Sequence, residues 1–124
     1  GFDLAAAEAV LTLRAAHSDV RLVAVVPFRG QEERFSPADR VRFLRAVAAA
    51  DEVEVLAGGY RRGCYAVRND FLVDRAALVV AWYDGSPGGT RYTLRRALAR
   101  GREVWNLHPS GGGLAIRPVQ PALF

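Results

Sequence analysis

Lysine and methionine are both absent from the 124 residues, and cysteine occurs once. With no second thiol, Cys64 cannot form an internal disulfide, so a reducing cytoplasm is the expected compartment. All seventeen basic residues are therefore arginine, and against thirteen acids they leave a net charge of +4. Planar guanidinium groups suit bidentate phosphate recognition. However, 21 alanines and a single isoleucine make a GC-rich coding bias the plainer source of the imbalance. The charge admits an anionic ligand or a nucleic acid without choosing between them. With no methionine and an opening on Gly1, the natural start is expected upstream. Long apolar runs are missing too: stretches such as Ala76–Tyr83 are far too short to span a bilayer, so no membrane partner is expected. Gly1–Val10 carries Asp3 and Glu8 and no basic segment, unlike a signal peptide. The length and the 51% hydrophobic content fit one ordinary domain, not a disordered chain.

Helical and strand patterns alternate along the chain. Phe2–Ala16 has Leu4, Ala7, Val10, Leu11 and Ala15 at helical spacing. Arg21–Val26 is a short β-branched run stopped by Pro27. Ser36 is placed to cap a helix, with Pro37 in its first turn and Asp39 to complete a capping box. The helix that follows, Ala38–Ala50, would turn Val41, Leu44, Val47 and Ala48 inward. Glu52–Leu56 reads as a strand, and about Arg62 to Asp74 as a helix. Ala77–Trp82 is the strongest strand pattern. Thr90–Arg100 is an amphipathic helix with Leu94, Ala97 and Leu98 inward and Gly101 as its stop. Glu103–Leu107 is the last strand. His108–Phe124 holds three of the six prolines and a glycine triplet, and is expected to be an irregular tail. This order predicts an α/β chain: a Rossmann-like three-layer domain over residues 1–107 with a mostly parallel sheet, lacking its first strand.

Ligands of open α/β sheets bind beyond the carboxyl ends of the strands. Of the loops at that edge, Asp84–Thr90 stands out, with three glycines leading into a helix N-terminus that favours an anion and Arg91 in the first turn. The plainer alternative is a strand–helix turn capped by Thr90. Arg68-Asn69-Asp70 comes next, although an arginine within a helix usually lies on a solvated face. Asp70 and Asp74 share a helix face, but such carboxylates more often partner arginines such as Arg75, and no metal site is expected. His17 and His108 match no triad or zinc pattern. Phe28, Tyr60 and Tyr65 can stack on a base, although aromatics near strand ends are usually core. There is no P-loop and no G-x-G-x-x-G.

Gly1-Phe2-Asp3 with Ala7-Glu8, Pro27-Phe28 with Gln31-Glu32-Glu33, Ala50-Asp51, Arg68 through Asp74, and Tyr83-Asp84-Gly85 with Gly88-Gly89-Thr90 follow one another across residues 1–107. Together they resemble the SLOG superfamily, the Rossmann-like relatives of the Smf/DprA DNA-processing proteins and the LOG phosphoribohydrolases, and within it the YpsA-like group. The resemblance implies a nucleotide-binding domain with no further cofactor. Gly88, Gly89 and Thr90 would cradle phosphate beside Asp84 and Arg91. Arg68 and Asn69 would face the ligand, Gly1 and Asp3 would sit by the first loop, and Pro27 and Phe28 would wall the base or ribose. It also implies a homodimer by analogy. The LOG hydrolases carry P-G-G-x-G-T-x-x-E. Here the loop reads Pro87-Gly88-Gly89-Thr90 and Thr93 takes the glutamate's place, so hydrolysis by that route is not expected, because threonine supplies neither charge nor a general acid. The leading expectation is a binding or sensing domain for a phosphate- and ribose-bearing ligand. The alternatives are a hydrolase in which Asp84 or Asp3 replaces the glutamate, and a single-stranded DNA-binding module built on Arg91, Arg95, Arg96, Arg100 and Arg102.

Overall fold

The computed structural model describes residues 1–110, and most of the expected tail lies outside them. Four α-helices and four short strands alternate: α1 (Phe2–Ala16), β1 (Val23–Val26), α2 (Pro37–Ala49), β2 (Glu52–Val55), α3 (Cys64–Arg75), β3 (Leu78–Ala81), α4 (Gly89–Ala99) and β4 (Glu103–Asn106). The strands pair in parallel, as the alternation predicts. β1 pairs with β2 in the register Val23 to Glu52, and β3 with β4 in the register Leu78 to Glu103. The result is an α/β, Rossmann-like arrangement. The described residues form two compact units, Gly1–Cys64 and a second that begins at Tyr65.

In the first unit, α2 starts as its sequence directs. Ser36 Oγ accepts from the Asp39 backbone N–H at 3.2 Å, and Pro37 occupies the first turn. The Asp39 carboxylate does not complete a capping box; it turns to Arg42 at 3.1 Å. Arg42 also grips Glu8 of α1, with its Nε 3.1 Å from Oε2, which ties the two helices. The inward stripe differs from expectation. Ala46 is the buried residue of α2, whereas Val41 and Leu44 are exposed, because Phe43 packs edge-on against Phe35 (5.5 Å) and sets the helix's rotation.

Asp51 fastens α1 and α2 to the start of the sheet. Its Oδ2 accepts from the Leu22 backbone N–H at 2.8 Å and from Arg14 Nη1 at 2.9 Å. The same Arg14 nitrogen donates to the Ala49 carbonyl at the end of α2, where a cation complements the helix dipole. The Leu22 N–H, followed by Arg14, holds the Asp51 carboxyl below its ordinary 3.8. Glu8 is likewise held below 4.5, chiefly by Arg42. Lowered folded-state values mean stability that is complete above the ordinary values and is lost as pH falls through the lower, folded ones. Thermal melts from pH 7 to pH 3 are expected to show a steep acid loss that Asp51→Asn makes shallower; equal slopes would show that Asp51 carries none of it.

The core of the second unit joins Val73 of α3, Ala81 and Tyr83 at the end of β3, Leu94 and Ala97 of α4, and Val104 of β4. Leu98 lies outside it and is exposed, contrary to the predicted stripe. Leu94 and Ala97 already span the contact, and the helix ends before another inward position arises. Gly101 takes φ +69° just beyond the helix, a conformation that suits glycine. The buried Asn106 extends the β3–β4 pairing with its side chain. Its Oδ1 accepts from the Tyr83 N–H and its Nδ2 donates to the Tyr83 carbonyl, both at 3.0 Å. Tyr83 itself is buried, and its hydroxyl has no partner among the described residues. A buried hydroxyl without a hydrogen bond costs about 1–3 kcal/mol. Tyr83→Phe is therefore expected to raise the urea midpoint, by an amount worth roughly 1 kcal/mol; a lower midpoint would mean that the hydroxyl is satisfied in solution.

Candidate functional site

The loop from β3 to α4 is built from Asp84 onward. The Asp84 Oδ1 accepts from both the backbone N–H (2.9 Å) and the hydroxyl (2.6 Å) of Ser86, forming an Asx turn that starts the reversal. These two bonds, the hydroxyl's first, keep the Asp84 carboxyl below its ordinary value. Gly88 then takes φ +144° as the residue before α4, a conformation open to glycine and strained for other residues. A Cβ placed on Gly88 or Gly89 would meet no atom within 4 Å, so the backbone here stands open to a ligand.

The start of α4 has no side-chain cap and no acidic residue in its first turn. Thr90 is not the cap its position suggested; it lies inside the first turn, one residue past Gly89. Thr93, at the place of the LOG glutamate, donates its hydroxyl to the Gly89 carbonyl at 2.9 Å. Arg91 occupies the first turn, where the helix dipole is already positive. Its guanidinium makes no ion pair or hydrogen bond among the described residues, and its Nε is buried without a partner. An open groove of about 510 Å³ runs along this side of α4, lined by Gly88, Arg91, Tyr92, Arg95, Arg96 and Arg100 among others.

Two carboxylates of α3 pair with other arginines of α4. Arg96 places Nε 3.0 Å from Asp70 and Nη2 3.3 Å from Asp74, and Arg100 Nη1 lies 3.7 Å from Asp74. The Arg96 Nε contact is an ion pair without the alignment of a hydrogen bond. Tyr92 donates its hydroxyl to Asp70 at 2.9 Å, which raises the phenol's pKa. Asp70 and Asp74 thus pair with α4 and not with Arg75, whose guanidinium lies 3.5 Å over the Phe71 ring. Among the described residues, no three metal-ligating side chains gather.

The remaining sequence candidates are dispersed. Gly1 precedes α1 and Asp3 lies in its first turn, both exposed. Pro27 and Phe28 are buried, and Arg34 stacks over Phe28 (5.2 Å) and Tyr60 (4.3 Å), so Phe28 offers no open ring face. Arg68 Nε donates to the Asn69 amide oxygen at 2.8 Å, and neither residue lines the α4 groove. Within the second unit, the structure brings together Gly88 and Arg91 of the predicted set and adds Arg95 and Tyr92.

A family model described as the YspA SLOG family matches residues 1–106. The chain belongs to that SLOG family. Among its relatives, the SPbeta prophage-derived protein YoqJ of Bacillus subtilis is 29% identical over 123 residues, covering 88% of this chain and 72% of YoqJ. A UPF0398 protein of Halalkalibacterium halodurans is 31% identical over 103 residues, covering 81% of this chain and 54% of that protein. A UPF0398 protein of Bacillus cereus is 27% identical over 111 residues, covering 87% and 60%. The SLOG chain therefore spans little more than half the length of the UPF0398 relatives. No helix of the described SLOG residues is long and apolar enough to cross a membrane.

Proposed function

We propose that this SLOG chain binds a nucleotide-like ligand, bearing phosphate and ribose, through the first turn of α4. The observation that carries the reading is Arg91. Arg91 is half-buried, has no partner among the described residues and sits at the positive end of a helix that has neither cap nor acid, where an anion would be favoured. The open backbone at Gly88 and Gly89 supplies N–H groups at the same end. Family membership and the SLOG likeness of the Gly88–Thr90 turn support the same ligand class. The setting is a reducing cytoplasm, in which the buried Cys64 stays a thiol.

The state of Asp84 disfavours one route of hydrolysis, that in which it acts as a general acid. A general acid needs a carboxyl that keeps its proton near neutrality, and Ser86 moves Asp84 in the opposite direction. Calorimetric titration with nucleoside monophosphates, ADP-ribose and the matching phosphate-free nucleosides tests the reading. The phosphate-bearing compounds are expected to bind and the nucleosides to bind far more weakly. Equal affinity for both, or no heat from any at millimolar concentration, would sink it.

A further inference from the structure

Five arginines lie on or just beyond α4, and the structure separates them by use. Arg96 and Arg100 are neutralised by Asp70 and Asp74. Arg102 caps the end of α3, its Nε donating to the Val73 carbonyl at 3.1 Å and its Nη2 to the Asp74 carbonyl at 3.0 Å. Arg91 and Arg95 have no partner among the described residues, and both line the groove beside Gly88. Four residues apart on one helix face, they are neighbours whose like charges repel. One phosphate at the helix terminus would answer Arg91 and leave Arg95, one turn farther along, unanswered.

Building on the nucleotide reading above, we propose that the α4 groove takes a chain of at least two phosphates, as in a nucleoside diphosphate. Arg91 would hold the phosphate nearer Gly88 and Arg95 the next one. The groove is open to solvent, which suits an extended, hydrated phosphate chain held by side-chain charge. A nucleic-acid strand is the less suitable occupant. Following a backbone takes a continued cationic track, and here the row of free guanidiniums ends at Arg95, since Arg96, Arg100 and Arg102 are held by α3.

The test is calorimetry on the full chain with inorganic phosphate, pyrophosphate, tripolyphosphate and oligo(dT) at constant ionic strength, repeated with Arg95→Gln. Arg95 is exposed, so the variant is expected to melt with the parent protein. Pyrophosphate should bind roughly tenfold more tightly than phosphate, the worth of one further charge-assisted pair. Arg95→Gln should remove that advantage and leave phosphate affinity unchanged. Phosphate binding with no gain for pyrophosphate would overturn this inference while leaving the nucleotide reading intact. So would an equal loss for both anions in Arg95→Gln, or oligo(dT) binding more tightly than tripolyphosphate. If neither phosphate nor any nucleotide binds, both readings fall.

Discussion

Replacing Arg91 with alanine is expected to weaken binding of phosphate-bearing ligands by roughly one to two orders of magnitude, the effect of losing a charge-assisted hydrogen bond of about 1.5–3 kcal/mol. Stability should move the other way. The guanidinium has no partner to lose, alanine is the better helix former, and a cation leaves the positive end of the dipole. Together these favour the variant by several tenths of a kcal/mol. A residue that serves only packing would show the reverse, a lower melting temperature with unchanged affinity. Titration and thermal melting of the same preparation separate the two cases. Unaltered affinity for Arg91→Ala would remove the main support for ligand binding at α4.

The largest loss of stability is expected from Leu94→Ala. Leu94 is fully buried among Val73, Tyr83, Ala97 and Val104, in the contact that lays α4 on the β3–β4 pair. Cutting leucine to alanine in such a site costs about 2–5 kcal/mol, the lost transfer energy plus the cavity left behind. Domains of this size are stable by only about 5–15 kcal/mol, so the variant should approach the edge of folding. Leu98→Ala, on the exposed side of the same helix, is the matched control. Its expected cost is under about 1 kcal/mol, since the side chain already meets water. Urea titrations monitored by circular dichroism would compare the midpoints, and similar losses for the two variants would contradict the placement of Leu98.

Local chemistry was readable from the sequence. The Ser36–Pro37 start of α2, the stop at Gly101 and all four strands lie within one or two residues of where composition and spacing put them. Each is fixed by its neighbours in the chain: a capping oxygen, a locked φ, a run of β-branched residues. The misses are side chains whose partners come from elsewhere in the fold. Asp70 and Asp74 looked toward Arg75 in the sequence, but Arg75 settles over Phe71 and the carboxylates meet Arg96 and Arg100 on a different helix. Arg102 read as a candidate for nucleic acid and is a helix cap. The α4 site was half legible. The glycine turn and Arg91 announced themselves, whereas Arg95 gained meaning once its fellow arginines were seen to be engaged. No periodicity forecast that Asn106 would act as a backbone mimic beside Tyr83.

The pairing of the strands has a kinetic consequence. β1 meets β2 across the single crossover that contains α2, and β3 meets β4 across the one that contains α4. The entropy of closing a loop rises only with the logarithm of its length, so each ladder forms at the cost of one moderate closure. Parallel sheets fold slowly when their strands must search along distant stretches of chain. Within each unit here, that search ends at the next strand in sequence, which shortens the time the unpaired β-branched segments stand open to aggregation.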